Sequence, residues 1–192
     1  MKIFLISGAV FFVDQLTKWL VKVNLSLGET IRVFGNFFQL TFIKNDGMAF
    51  GIAIPNKIFF NLLSIVAAGA ILYYIFKFRK ERLLPRFSLA VIFGGAVGNL
   101  YDRFMNGSVV DFMDMNVPDI QFRSFDLFLF STPSVNLTRW PIFNVADVAV
   151  SVGMFLLVLT IISSNDTWLQ SESHEEAISE DDIPLEDQKQ QT

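Results

Sequence analysis

Residues 58–86 read IFFNLLSIVAAGAILYYIFKFRKERLLPR. From Ile58 to Phe76 the stretch carries no charge, and a helix needs about 20 such residues to cross the hydrocarbon layer of a bilayer. Immediately after it come Lys77, Arg79, Lys80, Arg82 and Arg86, opposed only by Glu81. Short loops rich in Lys and Arg stay on the cytoplasmic side, so this one stretch predicts both a membrane span and its direction.

Working outward, three more apolar runs have the same character, approximately Ile3 to Val23, Phe87 to Phe104 and Phe143 to Ser163. The first follows Lys2 in the manner of a secretory signal. Asp14, Gln15 and Lys18 interrupt it, however, and no small-residue cleavage site follows, so it reads as a retained helix. The composition agrees with a membrane protein: 52% hydrophobic residues and 22 Phe in 192 residues, with mean hydropathy +0.46. The expected fold is an all-α membrane protein with four transmembrane helices, a small extracytoplasmic β-element and an interfacial segment. Both termini then face the cytoplasm, and residues 24–57 and 105–142 lie outside.

The formal net charge of −4 combines two unlike parts. Beyond Asn165 nine acids face Lys189 alone, a balance of −8, which leaves +4 on the rest of the chain. Residues 1–164 read as the membrane domain. Residues 165–192 read as an acidic cytoplasmic tail, expected to be disordered because it has too few apolar residues to offset the entropy of ordering.

In the first outer segment, Val33-Phe34, the turn pair Gly35-Asn36 and the alternating run Phe37 to Ile43 predict a β-hairpin. In the second, the stretch Gln121 to Phe130 is too short to span and too apolar to float free, and suits an interfacial helix or strand.

The chain has no Cys and its one His, His174, lies in the tail, which excludes thiol nucleophiles, disulfides and a His base in the membrane domain. Chemistry must rest on carboxylates, hydroxyls, amides, Lys or Arg. Charge inside a bilayer costs about 2.5–3.5 kcal/mol per residue on insertion scales, so each instance calls for a reason. Asp14 and Lys18 share a face of the first helix at i, i+4, as an ion pair or a functional pair. Asn99, Asp102 and Arg103 share a face at the outer end of the third, where Arg103 can neutralise Asp102. Asp111 follows just beyond, as an interfacial or ordinary loop carboxylate. Asn144 and Asp147 open the fourth helix, where capping is the structural alternative and fits Asn144 better than Asp147. Helix three leaves the membrane on the side where helix four enters it, so Asp102, Asp111 and Asp147 all gather near the outer face. Two carboxylates brought together there share a proton, the requirement of aspartic peptidase chemistry. Spacing does not choose which two.

Four blocks carry a family likeness: Asp14-Gln15-Leu16-Thr17-Lys18; Asn45-Asp46-Gly47-Met48-Ala49-Phe50-Gly51; Gly94 through Arg103 with Gly107 to Phe112; and Phe143-Asn144-Val145-Ala146-Asp147. In this order the chain resembles bacterial lipoprotein signal peptidase, signal peptidase II. The resemblance implies an intramembrane aspartic endopeptidase that removes signal peptides from prolipoproteins bearing a diacylglyceryl-Cys, cutting before that Cys. It implies Asp111 and Asp147 as the catalytic pair. Asp14, Lys18, Asn45, Asn99, Asp102, Arg103 and Asn144 match the positions that support substrate and dyad. No metal or cofactor is implied. The expected partners are prolipoproteins and the phospholipid bilayer, with no nucleic acid, and the enzyme is expected to work as a monomer. The expected location is the bacterial cytoplasmic (inner) membrane, with the active site near the outer face. Residues 112–146 exceed the spacing expected of the family. Which aspartate starts charged stays open, because a coupled pair titrates as a unit.

Two other classes fit parts of the pattern. Gly107-x-x-x-Asp111-x-x-Asp114 echoes the metal-binding half of membrane phosphatidyltransferases, but their upstream Asp-Gly and Ala-Arg are missing and their site lies on the inner side. Asp14, Lys18 and Asp102 suit a proton or ion carrier, which the absence of paired broken helices argues against.

Overall fold

Among the residues that the computed structural model describes (2–46, 57–78, 83–117, 120–122, 125–127, 130–132, 135–137 and 139–181), four helices carry the architecture. They are α1 (Lys2–Asn24), α2 (Lys57–Lys77), α3 (Leu83–Asn106) and α4 (Val145–Asp181). Helices α1, α3 and the first part of α4, Val145–Ser163, are long and apolar enough to cross a membrane, and α2 holds a shorter apolar helix, Asn61–Lys77. Large apolar side chains such as Phe12, Trp19, Val66, Phe155 and Ile162 are exposed on their outer faces. In water that arrangement would be an aggregation hazard; against lipid it is the expected surface. Most of the basic loop, residues 79–82, lies outside the described residues.

Helix α3 is the hub. Helices α1, α2 and α4 all pack on it, whereas α2 and α4 are not packed against each other among the described residues. The segment after α1 folds as expected into a hairpin, β1 (Thr30–Phe34) and β2 (Phe38–Asn45). A third strand, β3 (Val109–Met115), adds to it in the order β1-β2-β3. This strand was not foreseen, because its sequence VVDFMDM shows no clean apolar alternation. It forms where Gly107, at a φ of 71°, takes the left-handed conformation and donates its N–H to the Arg103 carbonyl at 3.1 Å, ending α3 and turning the chain back. Val110 and Phe112 then pack with Val21, Leu25 and Phe42.

In the segment between α3 and α4, the described residues form strands rather than a helix. Strands β4 (Ile120–Phe122) and β7 (Val135–Leu137) pair antiparallel, as do β5 (Phe125–Leu127) and β6 (Phe130–Thr132). Phe122 faces Val135 and Phe125 faces Thr132, so both ladders keep one register. The segment is tied down at its base, where Asn116 N–H donates to the Phe37 carbonyl and Trp140 N–H to the Met115 carbonyl.

Residues 165–181, read as disordered, continue α4 as helix. They contain neither Gly nor Pro, and the first residue that cannot continue a helix is Pro184, among residues 182–192, which lie outside the described residues.

Candidate active site

Helix α4 begins with a reciprocal cap. The Asp147 N–H donates to Asn144 Oδ1 at 3.0 Å, and the Asn144 N–H donates to Asp147 Oδ2 at 3.1 Å. This is a capping box with Asp in place of the usual Glu or Gln. Capping is thus a role that both side chains hold together, Asp147 as well as Asn144. Just upstream, the Phe143 carbonyl accepts N–H bonds from both Phe112 and Met113, and Phe143 N–H returns one to Met113, fastening β3 to the start of α4.

That clamp brings Asp111 and Asp147 to either side of Asn144. Asn144 Nδ2 donates to Asp111 Oδ1 at 2.6 Å, while Asn45 Nδ2 donates to Asp111 Oδ2 at 2.8 Å. Asn99 Nδ2 donates to Asp147 Oδ1 at 2.8 Å. Each carboxylate oxygen therefore accepts a bond from an amide N–H. Asp111 is not the solvated loop residue that its position suggested; it is 2% exposed in the middle of a strand. Burial, reinforced by the charge of Asp147 and opposed by the Asn45 and Asn144 bonds, pushes its carboxyl up from the usual 3.8 to about 6.

Beneath lies a second cluster. Lys18 Nζ contacts Asp14 Oδ2 at 2.8 Å, Asp102 Oδ2 at 2.9 Å and Asn99 Oδ1 at 3.0 Å. All three charged side chains are 0% exposed. The partner of Asp102 is thus Lys18 from another helix. Arg103, its expected partner, lines the cleft described below. Asp14 Oδ1 also accepts the Ala146 N–H at 2.9 Å, satisfying a donor in the first turn of α4. The structure therefore joins the sequence-singled Asp14, Lys18, Asn45, Asn99, Asp102, Asp111, Asn144 and Asp147 in one connected network.

Gly98 is fitted to this cluster. A Cβ there would lie 2.6 Å from Asp14 Oδ2, closer than real Cβ atoms approach. Gly98→Ala is expected to displace Asp14 from both Lys18 and Ala146 and to cost about 1–3 kcal/mol, the range for overpacking a close-packed site. Thermal unfolding in detergent micelles checks it, and an unchanged midpoint would refute it.

A cleft of about 580 Å³ opens beside Asp147; Asp111 is not on its lining and reaches it through Asn45. Its lining includes Ser64 of α2, Ala96 and Arg103 of α3, Ser151 of α4, Trp140, Asp147 and Asn45. The volume falls in the range of ligand-binding sites. The phosphatidyltransferase reading loses its basis here. Asp114 accepts from Thr41 Oγ1 at 2.8 Å and pairs with Arg139 at 3.2 Å, while Asp111 is committed to Asn45 and Asn144. Those two carboxylates do not converge on one point.

Membrane-crossing helices around a carboxylate-bearing cleft define the class of this protein as a membrane-embedded enzyme. Comparison with known proteins makes it specific: the chain belongs to the signal peptidase II family, whose model matches residues 6–163. It is a bacterial membrane peptidase of the aspartic type that removes signal peptides from lipoproteins. A lipoprotein signal peptidase of Syntrophus aciditrophicus is 36% identical over 166 residues, covering 83% of this chain and 92% of that protein. One from Listeria monocytogenes is 38% identical over 158 residues, covering 82% and 91%. A bacterial membrane enzyme solved in meso at 2.3 Å resolution superposes with a TM-score of 0.69 at 28% identity, covering 86% of this chain and 90% of that one. A second, solved at 1.9 Å, gives 0.64 at 29% identity, covering 83% and 92%.

Proposed function

We propose that Asp111 and Asp147 are the catalytic pair, and that they cut prolipoproteins immediately before a diacylglyceryl-modified Cys. The observation that carries this reading is Asn144, whose one side chain caps α4 below Asp147 and holds Asp111 of β3. One carboxylate takes a proton from water as the oxygen attacks the scissile carbonyl. The protonated partner donates to the carbonyl oxygen, and collapse of the tetrahedral intermediate sends a proton to the departing amine. Asn45 lines the cleft as well as bonding Asp111, which suits it to a substrate backbone, and Arg103 on the cleft wall suits a carbonyl or headgroup oxygen. Asp14, Lys18, Asn99 and Asp102 support the pair from below.

The site belongs at the outer face of the cytoplasmic membrane. Four helices span it with both termini inside, and the enzyme works as a monomer without metal or cofactor. The basic residues after α2 support this direction, since α3 carries the chain from that loop to Gly107 and β3. The apolar outer strands, with Phe34 and Phe37 exposed, suit contact with lipid and with the acyl chains of the substrate. Residues 1–164 form the working domain.

The test is cleavage of a prolipoprotein, with and without its diacylglyceryl group, by purified wild type, Asp111→Asn and Asp147→Asn, each with and without EDTA. Mass spectrometry should find the modified Cys at the new amino terminus. Undiminished cleavage by both variants, or a requirement for added divalent metal, overturns the reading. A reporter fused near Arg82 should be cytoplasmic; an external reporter inverts the topology.

The raised carboxyl of Asp111 gives a pH dependence. Between 3.8 and about 6 the folded protein binds the proton and the unfolded chain does not, so this group's contribution to stability falls as pH rises through that window. The pair needs one proton to act as acid. The kcat/KM of the free enzyme is therefore expected to decline about tenfold per unit above pH 6. A flat profile from pH 5 to 8 would exclude it.

A further inference from the structure

The two carboxylates have unlike surroundings. The Lys18 ammonium has only donors to offer, and it sits 3.0 Å from Asn99 Oδ1. Asn99 must therefore turn its carbonyl to Lys18, where it also accepts from Asn144 Nδ2 at 3.1 Å. Its NH₂ group is left facing Asp147 Oδ1. The other oxygen of Asp147 meets the backbone N–H of Asn144, a donor that cannot be exchanged for an acceptor. Both oxygens of Asp147 thus already accept from fixed donors, so a proton there has only the lone pairs that those bonds leave. Asp111 differs at Oδ2, where its donor Asn45 is a side chain at the cleft wall, able to pass from Asp111 to a substrate.

Resting on the catalytic pair proposed above, we infer that Lys18 is a positioning residue: by fixing the amide of Asn99 it dedicates Asp147 to the role of base and leaves the proton of the pair on Asp111. The charges around the pair do not by themselves choose between the two carboxylates, so the donor geometry carries the assignment. Lys18 from α1 and Arg103 from α3 favour a charged carboxylate, Asp111 on β3 and Asp147 on α4 oppose each other, and Asp14 and Asp102 are engaged by Lys18. The upward shift of Asp111 to about 6 points the same way. In the reaction, Asp147 accepts the proton of the attacking water as the new C–O bond forms. Asp111 gives its own to the carbonyl oxygen, and breaking of the C–N bond returns the proton held by Asp147 to the amine.

Infrared difference spectra of the full chain in lipid bilayers, titrated between pH 4 and 8, read the proton directly through the carboxylic acid C=O stretch. The acid band titrating near 6 should vanish in Asp111→Asn and persist in Asp147→Asn; the reverse assignment overturns the inference. Asn99→Leu, which leaves Lys18 paired with Asp14 and Asp102, tests the positioning. It should lower kcat about 100-fold, the cost of misplacing a reacting group by about an ångström, with KM nearly unchanged. With Asp111→Asn added, the acid band should reappear on Asp147. The combination Lys18→Met, Asp14→Asn and Asp102→Asn, which removes the buried charges together, should behave as Asn99→Leu does. If Asn99→Leu keeps its kcat, or loses it with the acid band still confined to Asp111, the positioning role is wrong. The pair itself fails separately, by wild-type turnover in Asp111→Asn or Asp147→Asn.

Discussion

Asp111→Asn and Asp147→Asn are each expected to lower cleavage of a lipid-modified prolipoprotein by about 10³-fold or more, the upper part of the range for losing a positioned acid or base. The fold should survive both. Asn keeps the volume of Asp and one acceptor oxygen, which at position 147 can still receive the Asn144 N–H. Its new NH₂ group would then face Asn99 Nδ2, a donor against a donor, at about 1–3 kcal/mol for the lost bond. At position 111 the oxygen can stay on Asn144 while the NH₂ group turns to Asn45, whose amide can present its carbonyl instead. Stability should therefore fall less in Asp111→Asn. The double variant should be scarcely slower than either single one, because the two groups act as a unit. Additive losses in the double variant would mean that they do separate work.

The largest effect on stability is expected from Lys18→Met. It strands Asp14 and Asp102, both 0% exposed, with no cation between them. Removing one partner of a buried ion pair costs about 3–5 kcal/mol, a large part of the 5–15 kcal/mol that holds an ordinary domain folded. Asp14→Asn should cost less, since Lys18 keeps Asp102 and the Asn oxygen can still accept the Ala146 N–H. Unfolding midpoints in one detergent rank the two variants, and equal midpoints would show that the cluster is not a shared ion site.

Much of this was legible in the sequence because a membrane makes charge conspicuous. Asp14, Lys18, Asp102 and Asp147 stood out against apolar neighbours, and the gathering of Asp102, Asp111 and Asp147 near one end of the bundle followed from helix direction. Their pairing did not. Lys18 joins Asp102 across two helices, a contact set by how closely α1 packs on α3 at Gly98, which periodicity within one helix does not report. Strand β3 was hidden for a similar reason. Val109 to Met115 carry two aspartates and near-complete burial, so the chain looked like a loop until its pairing with β2 was known. The capping role of Asp147 was discounted because it lies three residues past the cap, which is where the return bond of a capping box belongs.

The separation of α2 from α4 has an expected kinetic consequence. Among the described residues both helices line the cleft and neither packs on the other, so an apolar signal peptide is expected to enter between them and reach Asp147 without leaving the membrane. Encounter is then a search in a plane, and the variable that governs its rate is the mole fraction of substrate among lipids. Diluting micelles with more detergent at fixed protein and substrate should slow turnover as if substrate had been withdrawn, while adding buffer should leave it unchanged.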